Sequence, residues 1–169
     1  MIQIPAVQPE NEKTRAIIFV YSNGNTRKIA NAMALKLNAP LLGIETINMD
    51  VIDFSVLEEY ELIGFGSGID SDKHFQPMLD FAGKLPGVQN KKAFIFSTCG
   101  MYDREKMVKD HKPLKNILHT KGYKVIGDFS CPGHNTNSFL KWFGGMNKGR
   151  PNKNDLQNAE QFAGGLNVQ

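Results

Sequence analysis

Apolar residues follow two patterns that alternate along this chain. Short continuous apolar runs predict buried β-strands at 16–21, 41–44, 62–66, 93–96 and 123–130. Apolar residues that recur every three or four positions predict helices at about 26–38 and 75–85, a third that ends near residue 122, and a last one over 156–163. Strands that alternate with helices predict a doubly wound α/β fold, in which helices cover both faces of a five-stranded parallel sheet.

Three polar, glycine-bearing loops follow the first, third and fourth predicted strands, at 22–26, 66–74 and 97–103. Ligands of doubly wound sheets bind at the carboxyl ends of the strands, where the direction of winding reverses. We therefore expect the three loops to form one site, which would hold a phosphate at one end and a flat, polar-edged ring between the other two loops.

Apolar side chains in the second and third loops are suited to cover such a ring. Ile69, Met101 or Tyr102 would lie against its faces, while glycines let backbone groups reach its edge. The alternative interpretation is purely structural: Gly66 and Gly68 serve a tight strand exit, and the two side chains of the third loop cover a helix end.

The first loop reads Ser22-Asn23-Gly24-Asn25-Thr26 and leads directly into a predicted helix. A helix N terminus offers unpaired N–H groups and the positive end of its dipole, the glycine lets the backbone approach an anion, and two hydroxyls add donors. The loop has no lysine and no G-x-G-x-x-G pattern, so it predicts a monophosphate rather than a nucleoside triphosphate or NAD. An ordinary turn with a helix N-cap is the alternative.

Length and composition indicate one globular domain, because the chain has 169 residues and is 41% hydrophobic. We expect residues 1–13 to be a loosely ordered arm and residues 14–169 to be a single domain. The start does not resemble a secretory signal, and no apolar stretch approaches the roughly 18 residues of a membrane span, so we expect a cytoplasmic protein with no membrane partner. Cys99 and Cys131 lack His or Cys neighbours at metal-binding spacing, and we expect both to stay reduced.

The net charge of +3 conceals an uneven distribution of charge. Residues 37–72 contain eight acids and no Lys or Arg, whereas bases are in excess over 103–124 and 141–154. The acidic stretch is either a solvated face or a surface that docks a basic partner. The late basic segment is either a solvated loop or a surface that attracts an anionic substrate. No nucleic-acid-binding motif accompanies these bases, so we expect no nucleic-acid partner.

Nucleophilic and metal chemistry have little support. Cys99 follows a strand, but a phosphatase pattern C-x₅-R would require an arginine where the chain has Glu105. Four histidines show no spacing typical of a metal site or a triad, and we expect each to be a surface residue: His74, His111, His119 and His134.

The first loop, with Gly24-Asn25-Thr26 preceded by Ser22, resembles the FMN-phosphate loop of the flavodoxin family, although Asn23 stands where threonine is usual. The later segments 129–133, 144–151 and 155–156 resemble a microbial subgroup of that family whose function is poorly defined. The resemblance extends over almost the whole chain, from residue 14 to residue 162.

This resemblance implies a three-layer fold with strand order 2-1-3-4-5 and a non-covalently bound FMN. Its phosphate would lie on the first loop, and its ring would lie between the loops that start at Ser67 and Ser97. The implied cofactor-binding residues are Ser22, Asn23, Gly24, Asn25, Thr26, Ser67, Gly68, Ile69, Ser97, Thr98, Cys99, Gly100, Met101, Tyr102 and His134.

The function implied is one-electron transfer between redox partner proteins, namely a reductase or ferredoxin-type donor and an acceptor enzyme, by a monomer or weak dimer. The peptide after Gly68 would then be the one that flips on reduction. The alternative within the same fold is an FMN-dependent NAD(P)H or quinone oxidoreductase, whose substrate pocket His134, Tyr102 and Trp142 would line. A third alternative is a binding module that has lost FMN, because the first loop departs from the family pattern.

Overall fold

The computed structural model describes residues 4–5, 15–22, 24–50, 52–135 and 145–166. These residues form six strands, four α-helices and two 3₁₀ turns. In chain order the elements are β1 (Ala16–Tyr21), α1 (Asn25–Leu37), β2 (Leu41–Gly43), the 3₁₀ turns Ile44–Thr46 and Ser55–Glu59, β3 (Leu62–Asp70), β4 (Lys73–His74), α2 (Gln76–Lys84), β5 (Lys91–Cys99), α3 (Arg104–Thr120), β6 (Tyr123–Pro132) and α4 (Lys153–Gly164).

Five of the strands form a parallel sheet in the order β2-β1-β3-β5-β6, and the short β4 pairs antiparallel with the end of β3. The order of the five parallel strands is the predicted one. Tyr21, Ser67, Ser97 and Ser130 lie side by side across four strands. The carboxyl ends of these strands therefore open onto the same edge of the sheet.

Apolar side chains alternate between the two faces of the sheet and give the protein two cores. Phe19, Phe65 and Ile95 pack on the side of α2 and α3. Phe94 and Phe96 pack on the side of α1 and α4. Each of these side chains is fully buried and contributes about 1.5–3 kcal/mol to folding.

Glycines in β3 make room for aromatic rings from the neighbouring strand. A Cβ at Gly64 would overlap the ring of Phe94, and a Cβ at Gly66 would overlap the ring of Phe96. These two glycines therefore serve close packing within the strand, and Gly66 does not mark the strand exit that the sequence suggested.

Strands β3 and β5 both extend beyond their predicted ends. The sequence predicted loops from residues 66 and 97 onward, because serine and glycine are typical of turns. In the structure Ser67 and Ser97 are fully buried and their hydroxyls are hydrogen-bonded inside the protein, so the strands continue to Asp70 and Cys99.

The connection after β2 also differs from the prediction that each strand is followed by a helix. Its described residues form only the two 3₁₀ turns, since the sequence there lacks a sustained helical period. Within the predicted loose arm, Ile4 is buried in the core and the Pro5 carbonyl accepts a hydrogen bond from Tyr60 Oη. No helix in the described part of the chain is long and apolar enough to cross a membrane.

Candidate functional site

A cleft of about 250 Å³ opens where the strand ends meet the N terminus of α1. Its volume is near the lower end of the ~300–1,000 Å³ typical of small-molecule sites. The residues that line it come from every predicted loop and from the segment after β6. They are Ser22, Gly24, Asn25, Thr26, Gly68, Ile69, Phe75, Thr98, Cys99, Gly100, Gly133, His134 and Asn135.

The N-terminal end of α1 forms one end of the cleft. Gly24 is the N-cap, no side chain caps the helix, and no acidic residue lies in its first turn. The first N–H groups of a helix have no intrahelical acceptor, so this end is electropositive and suited to an anion. The loop is held by two bonds, from Gly24 N–H to Ser22 Oγ at 3.1 Å and from Arg27 Nε to the Ser22 carbonyl at 3.0 Å.

Hydrogen bonds tie the start of α1 to the other walls of the cleft. Thr26 Oγ1 and Thr98 Oγ1 are 2.7 Å apart, and Asn25 Nδ2 donates to the His134 carbonyl at 2.8 Å. Gly133 N–H donates to the Cys99 carbonyl at 2.8 Å. These contacts fix α1, β5 and the segment after β6 relative to one another and so hold three walls of the cleft in place.

Gly68 and Phe75 form the wall opposite the β5 segment. The Gly68 carbonyl accepts hydrogen bonds from Phe75 N–H at 3.1 Å and from Ser67 Oγ at 2.9 Å. A rotation of the peptide after Gly68 would therefore have to break both bonds. The phenyl ring of Phe75 lies edge-on to Tyr21, with ring centroids 6.0 Å apart, which holds it beside the cleft.

Ten of the predicted binding residues meet in this cleft, and four of the other described ones do not. Ser67 and Ser97 lie behind it, with side chains in the protein interior. Met101 and Tyr102 are 64% and 50% exposed and lie outside its lining. Asn23 lies outside the described residues.

Sequence reasoning missed three lining residues, namely Phe75, Gly133 and Asn135. Phe75 was assigned only to the apolar face of a helix, whereas the β3–β4 hairpin turns it toward the cleft. Gly133 does follow a predicted strand, so its position after the fifth strand was a usable signal. A Cβ there would lie about 3.0 Å from Asn25 Nδ2, so only glycine fits without displacement.

Both cysteines have neutral thiols. Burial raises the pKa of Cys99, and it raises the pKa of Cys131 to about 12. Lys106 lowers the pKa of Cys99 and Arg150 lowers that of Cys131, but burial outweighs both effects, so neither thiol is activated as a nucleophile. Among the described residues, no group of three or more His, Cys, Asp or Glu side chains is placed to hold a metal ion.

Two of the four histidines are not surface residues. His74 and His111 are fully buried, on β4 and α3 respectively, and the prediction of surface positions is wrong for both. Their ring nitrogens contact Ser67 and Ser97 at 2.9 and 2.8 Å, so the serines that lie behind the cleft give these rings polar partners. The sequence could not show this, because the contacts join residues from different elements.

Several charges of the two charged stretches are paired. In the acidic stretch, Glu45 binds Arg27 at 2.8 Å and Glu61 binds Arg15 at 2.9 Å. In the late basic segment, Arg150 binds both carboxylate oxygens of Asp155 at 2.8 Å. This pairing reduces the charge that either stretch presents to a partner.

Comparison with known proteins gives consistent matches over this fold. The family model described as "Flavodoxin domain" matches residues 16–165. An uncharacterized protein of Methanocaldococcus jannaschii is 43% identical over 139 residues, which are 82% of this chain and 87% of that protein.

Solved structures show the same fold at low sequence identity. A flavodoxin from the domain Archaea matches 89% of this chain and 95% of its own, with a TM-score of 0.60 and 18% identity. The rubredoxin oxygen:oxidoreductase of Desulfovibrio gigas matches 93% of this chain and 36% of its own, with a TM-score of 0.66 and 15% identity. Because the family model covers nearly all of the folded domain, the chain belongs to the flavodoxin family, a family of flavin-binding proteins.

Proposed function

We propose that the cleft binds FMN and that the protein carries single electrons between redox partner proteins, a reductase or ferredoxin-type donor and an acceptor enzyme. The observation that carries this proposal is the chemistry of the lining, which consists of backbone groups, hydroxyls, amides, a thiol, two apolar side chains and one histidine. Among the described residues, no Lys, Arg, Asp or Glu lines the cleft.

The residues present fit FMN at both ends. The N terminus of α1 with Ser22 and Thr26 would hold the phosphate, because unpaired N–H groups and hydroxyl donors suit a dianion. The segments at Gly68 and Gly100 would flank the ring and offer backbone groups to its polar edge. Bound FMN supplies reversible one- and two-electron redox chemistry, and the protein supplies its position and its electrostatic surroundings.

A carrier is favoured over a reductase of the same fold. A nicotinamide dinucleotide carries phosphates that a reductase has to anchor near the ring, usually with arginine or lysine. Among the described residues no arginine or lysine lines the cleft, and the guanidinium of Arg150, in the late basic segment, is already bound to Asp155. In addition, Met101 and Tyr102 are exposed next to Gly100, where an apolar contact surface beside the site would suit a docking protein.

The first test is whether the protein retains flavin after incubation with FMN and desalting, read from the visible absorption spectrum. Stepwise anaerobic reduction of the same sample would then show whether a one-electron-reduced form accumulates, as a carrier requires. Direct two-electron reduction by NADPH would contradict the carrier and favour the reductase. A protein that retains no flavin would contradict the cofactor assignment itself.

The phosphate end has its own test, a comparison of FMN with riboflavin, which lacks the phosphate. We expect FMN to bind at least about tenfold more tightly, because hydrogen bonds to charged groups contribute about 1.5–3 kcal/mol each. Thr26→Val removes a hydroxyl at the cleft and should lower the ratio of the dissociation constants of riboflavin and FMN. Asn31→Ala, on the exposed side of the same helix, is the matched control and should leave the ratio unchanged. Equal binding of the two flavins would place the phosphate elsewhere.

A further inference from the structure

A single side-chain amide joins two walls of the cleft from outside. Asn147 Nδ2 donates to the Gly100 carbonyl at 2.5 Å and to the Gly133 carbonyl at 3.3 Å. An amide nitrogen carries two hydrogens, so it can serve both acceptors at once. Gly100 and Gly133 line the cleft, whereas Asn147 does not. The side chain of Asn147 therefore connects the segments that follow β5 and β6 without entering the site.

The amide takes the place of a hydrogen bond of the sheet. The parallel strands β5 and β6 pair as far as Cys99, whose carbonyl still accepts from Gly133 N–H at 2.8 Å. If the ladder continued, the next bond would run from the N–H of Met101, two positions further along, to the Gly133 carbonyl. That carbonyl accepts from Asn147 instead. The ladder therefore ends at the point where the cleft opens.

The following position of the ladder is also taken by the late segment. Asn135 N–H, which would bond to Met101 if the two strands continued, donates to the Met146 carbonyl at 2.9 Å. The N–H of Met101 consequently forms no hydrogen bond with any described residue. Residues 146 and 147 thus separate the ends of β5 and β6 and leave one backbone donor of the β5 segment available.

The peptide plane sets the direction of this N–H. The peptide bond between Gly100 and Met101 is trans, so the carbonyl and the N–H that it contains point in opposite directions. In the sheet β5 lies between β3 and β6, and the Gly100 carbonyl points toward the β6 side, to Asn147. The Met101 N–H therefore points toward the β3 side, where Gly68 forms the opposite wall of the cleft.

We propose that Asn147 is a positioning residue that holds the Met101 N–H toward the cleft, as a hydrogen-bond donor for a carbonyl oxygen on the polar edge of the bound ring. This inference rests on the proposed function, since the ring of FMN carries carbonyl oxygens on its polar edge. Asn147 acts only through the peptide between Gly100 and Met101.

The carbonyls of this part of the cleft are already paired, which leaves the wall with a donor rather than an acceptor. The Cys99 carbonyl accepts from an N–H of the segment after β6, and the His134 carbonyl accepts from Asn25 Nδ2 at 2.8 Å. The other two carbonyls accept from Asn147. A ring edge with acceptor atoms therefore finds a partner at this wall, and an edge with donors alone does not.

The contact of Asn147 is tested in the wild-type protein without flavin, by NMR scalar couplings across hydrogen bonds. We expect a coupling from Asn147 ¹⁵Nδ2 to the carbonyl carbon of Gly100 and a weaker one to that of Gly133, in line with the distances of 2.5 and 3.3 Å. Absence of the Gly100 coupling would overturn the proposal.

The direction of the Met101 N–H is tested by amide hydrogen exchange. We expect the exchange of this amide to slow by about tenfold when the wild-type protein is saturated with FMN, because the ring then supplies the missing acceptor. The slowing should be lost in Asn147→Asp. Equal exchange rates with and without bound FMN would overturn the proposal.

The donor role of the side chain is tested with two variants, Asn147→Asp and Asn147→Gly. The first keeps the size of the side chain but loses the amide hydrogens, and the second removes the side chain without adding charge. We expect both to raise the dissociation constants of FMN and riboflavin by the same factor, about tenfold, because the two flavins share the ring.

Asn90 offers the matched controls, because its φ of 53° resembles the 59° of Asn147 and its side chain is exposed. Asn90→Asp and Asn90→Gly should change neither dissociation constant. Unchanged binding of both flavins by the Asn147 variants would refute the role of this residue. Weaker binding of FMN alone would assign the effect to the phosphate end and would also refute it.

Failure of this inference can be distinguished from failure of the proposed function. If the wild-type protein binds flavin and the Asn147 variants bind it equally well, only the role of Asn147 is refuted. If the wild-type protein binds no flavin, the proposed function is refuted, and the recognition of the ring fails with it. If the variants do not fold, the exchange of the Met101 amide in the wild-type protein decides.

Discussion

The side chain of Tyr123 buries a hydroxyl that has no hydrogen-bond partner among the described residues. Its ring packs edge-on against Phe65, with centroids 5.8 Å apart. Tyr123→Phe keeps this packing and removes the unpaired hydroxyl. Because an unsatisfied buried polar group costs about 1–3 kcal/mol, we expect the variant to be more stable by about 1 kcal/mol in urea unfolding.

The matched control is Tyr60→Phe, at a tyrosine whose hydroxyl donates to the Pro5 carbonyl. We expect this variant to be less stable by about 0.5–1.5 kcal/mol, because the substitution removes a satisfied hydrogen bond. Opposite signs for the two variants would support the assignment of partners. Destabilisation by both would mean that the Tyr123 hydroxyl finds a partner.

Alkaline pH gives a second readout for Tyr123→Phe. Burial raises the pKa of Tyr123 from 10.0 to about 12. As pH rises above 10, the unfolded chain loses this proton before the folded protein does, so the free energy of unfolding falls. Between pH 10 and 12 the free energy of unfolding should fall less steeply in Tyr123→Phe than in the wild-type protein. An unchanged slope would mean that other groups cause the fall.

The sequence predicted which residues gather at the cleft better than it predicted which way their side chains point. Gly24, Asn25 and Thr26 follow a strand and precede a helix, and this position alone predicts that they lie at the edge of the sheet where the cleft opens. Ser67 and Gly68 are neighbours in β3, yet only Gly68 lines the cleft, because successive residues of a strand face opposite sides of the sheet. The sequence could not show that β3 continues this far.

At the scale of elements, apolar runs predicted the strands and the resemblance to the flavodoxin family supplied their order, but the shortest elements were missed. The two-residue β4 carries too little sequence for any period, and it forms only because β3 turns back at positions 71 and 72. The accuracy of the predicted helix starts did not follow the caps. The start of α1 was predicted to within one residue although no side chain caps it, whereas the pattern placed α4 over 156–163 and the structure begins it at Lys153, just after Asn152.

Helix α4 has a capping box that should be measurable. Asn152 Oδ1 accepts from the N–H groups of Asn154 and Asp155, at 3.0 and 3.1 Å, and Asp155 Oδ2 accepts from Asn152 N–H at 2.7 Å. We expect Asn152→Ala to lower the free energy of unfolding by about 1 kcal/mol. Asn158→Ala makes the same substitution at an exposed position inside the helix and should stabilise it by up to about 0.7 kcal/mol, since alanine has the higher helix propensity.

A loss of similar size in both variants would show that the side chain of Asn152 does not cap the helix. The cap of α4 also supports the cleft. Asp155 binds Arg150, and the Arg150 carbonyl accepts a hydrogen bond from His134 N–H at 3.2 Å. A weakened cap should therefore also weaken the FMN binding that we propose for the cleft, through the segment around His134.

At the scale of the whole molecule, the buried histidine His74 makes the stability of the fold depend on pH in the acid range. The pKa of His74 lies well below its ordinary value of 6.5, first because of its burial and then because of the positive charge of His111. As pH falls below 6.5, the unfolded chain binds a proton at this histidine that the folded protein does not bind. Stability is therefore fully present above pH 6.5 and is lost as pH falls.

Because one proton is involved, His74 should change the free energy of unfolding by at most about 1.4 kcal/mol per pH unit. His74→Asn keeps an amide donor for Ser67 and removes the titrating ring, so its stability should fall less steeply between pH 6.5 and 4.5 than that of the wild-type protein. The carboxylate of Asp128 titrates below this window, because its partial burial, which raises the pKa, is outweighed by hydrogen bonds from His111 and Lys115, which lower it. The matched control is His119→Gln, which replaces an exposed side chain on α3 and should leave the slope unchanged. Urea unfolding at several pH values measures the slopes directly. Equal slopes for His74→Asn and the wild-type protein would mean that the folded protein protonates His74 as readily as the unfolded chain does, which would contradict the lowered pKa of His74.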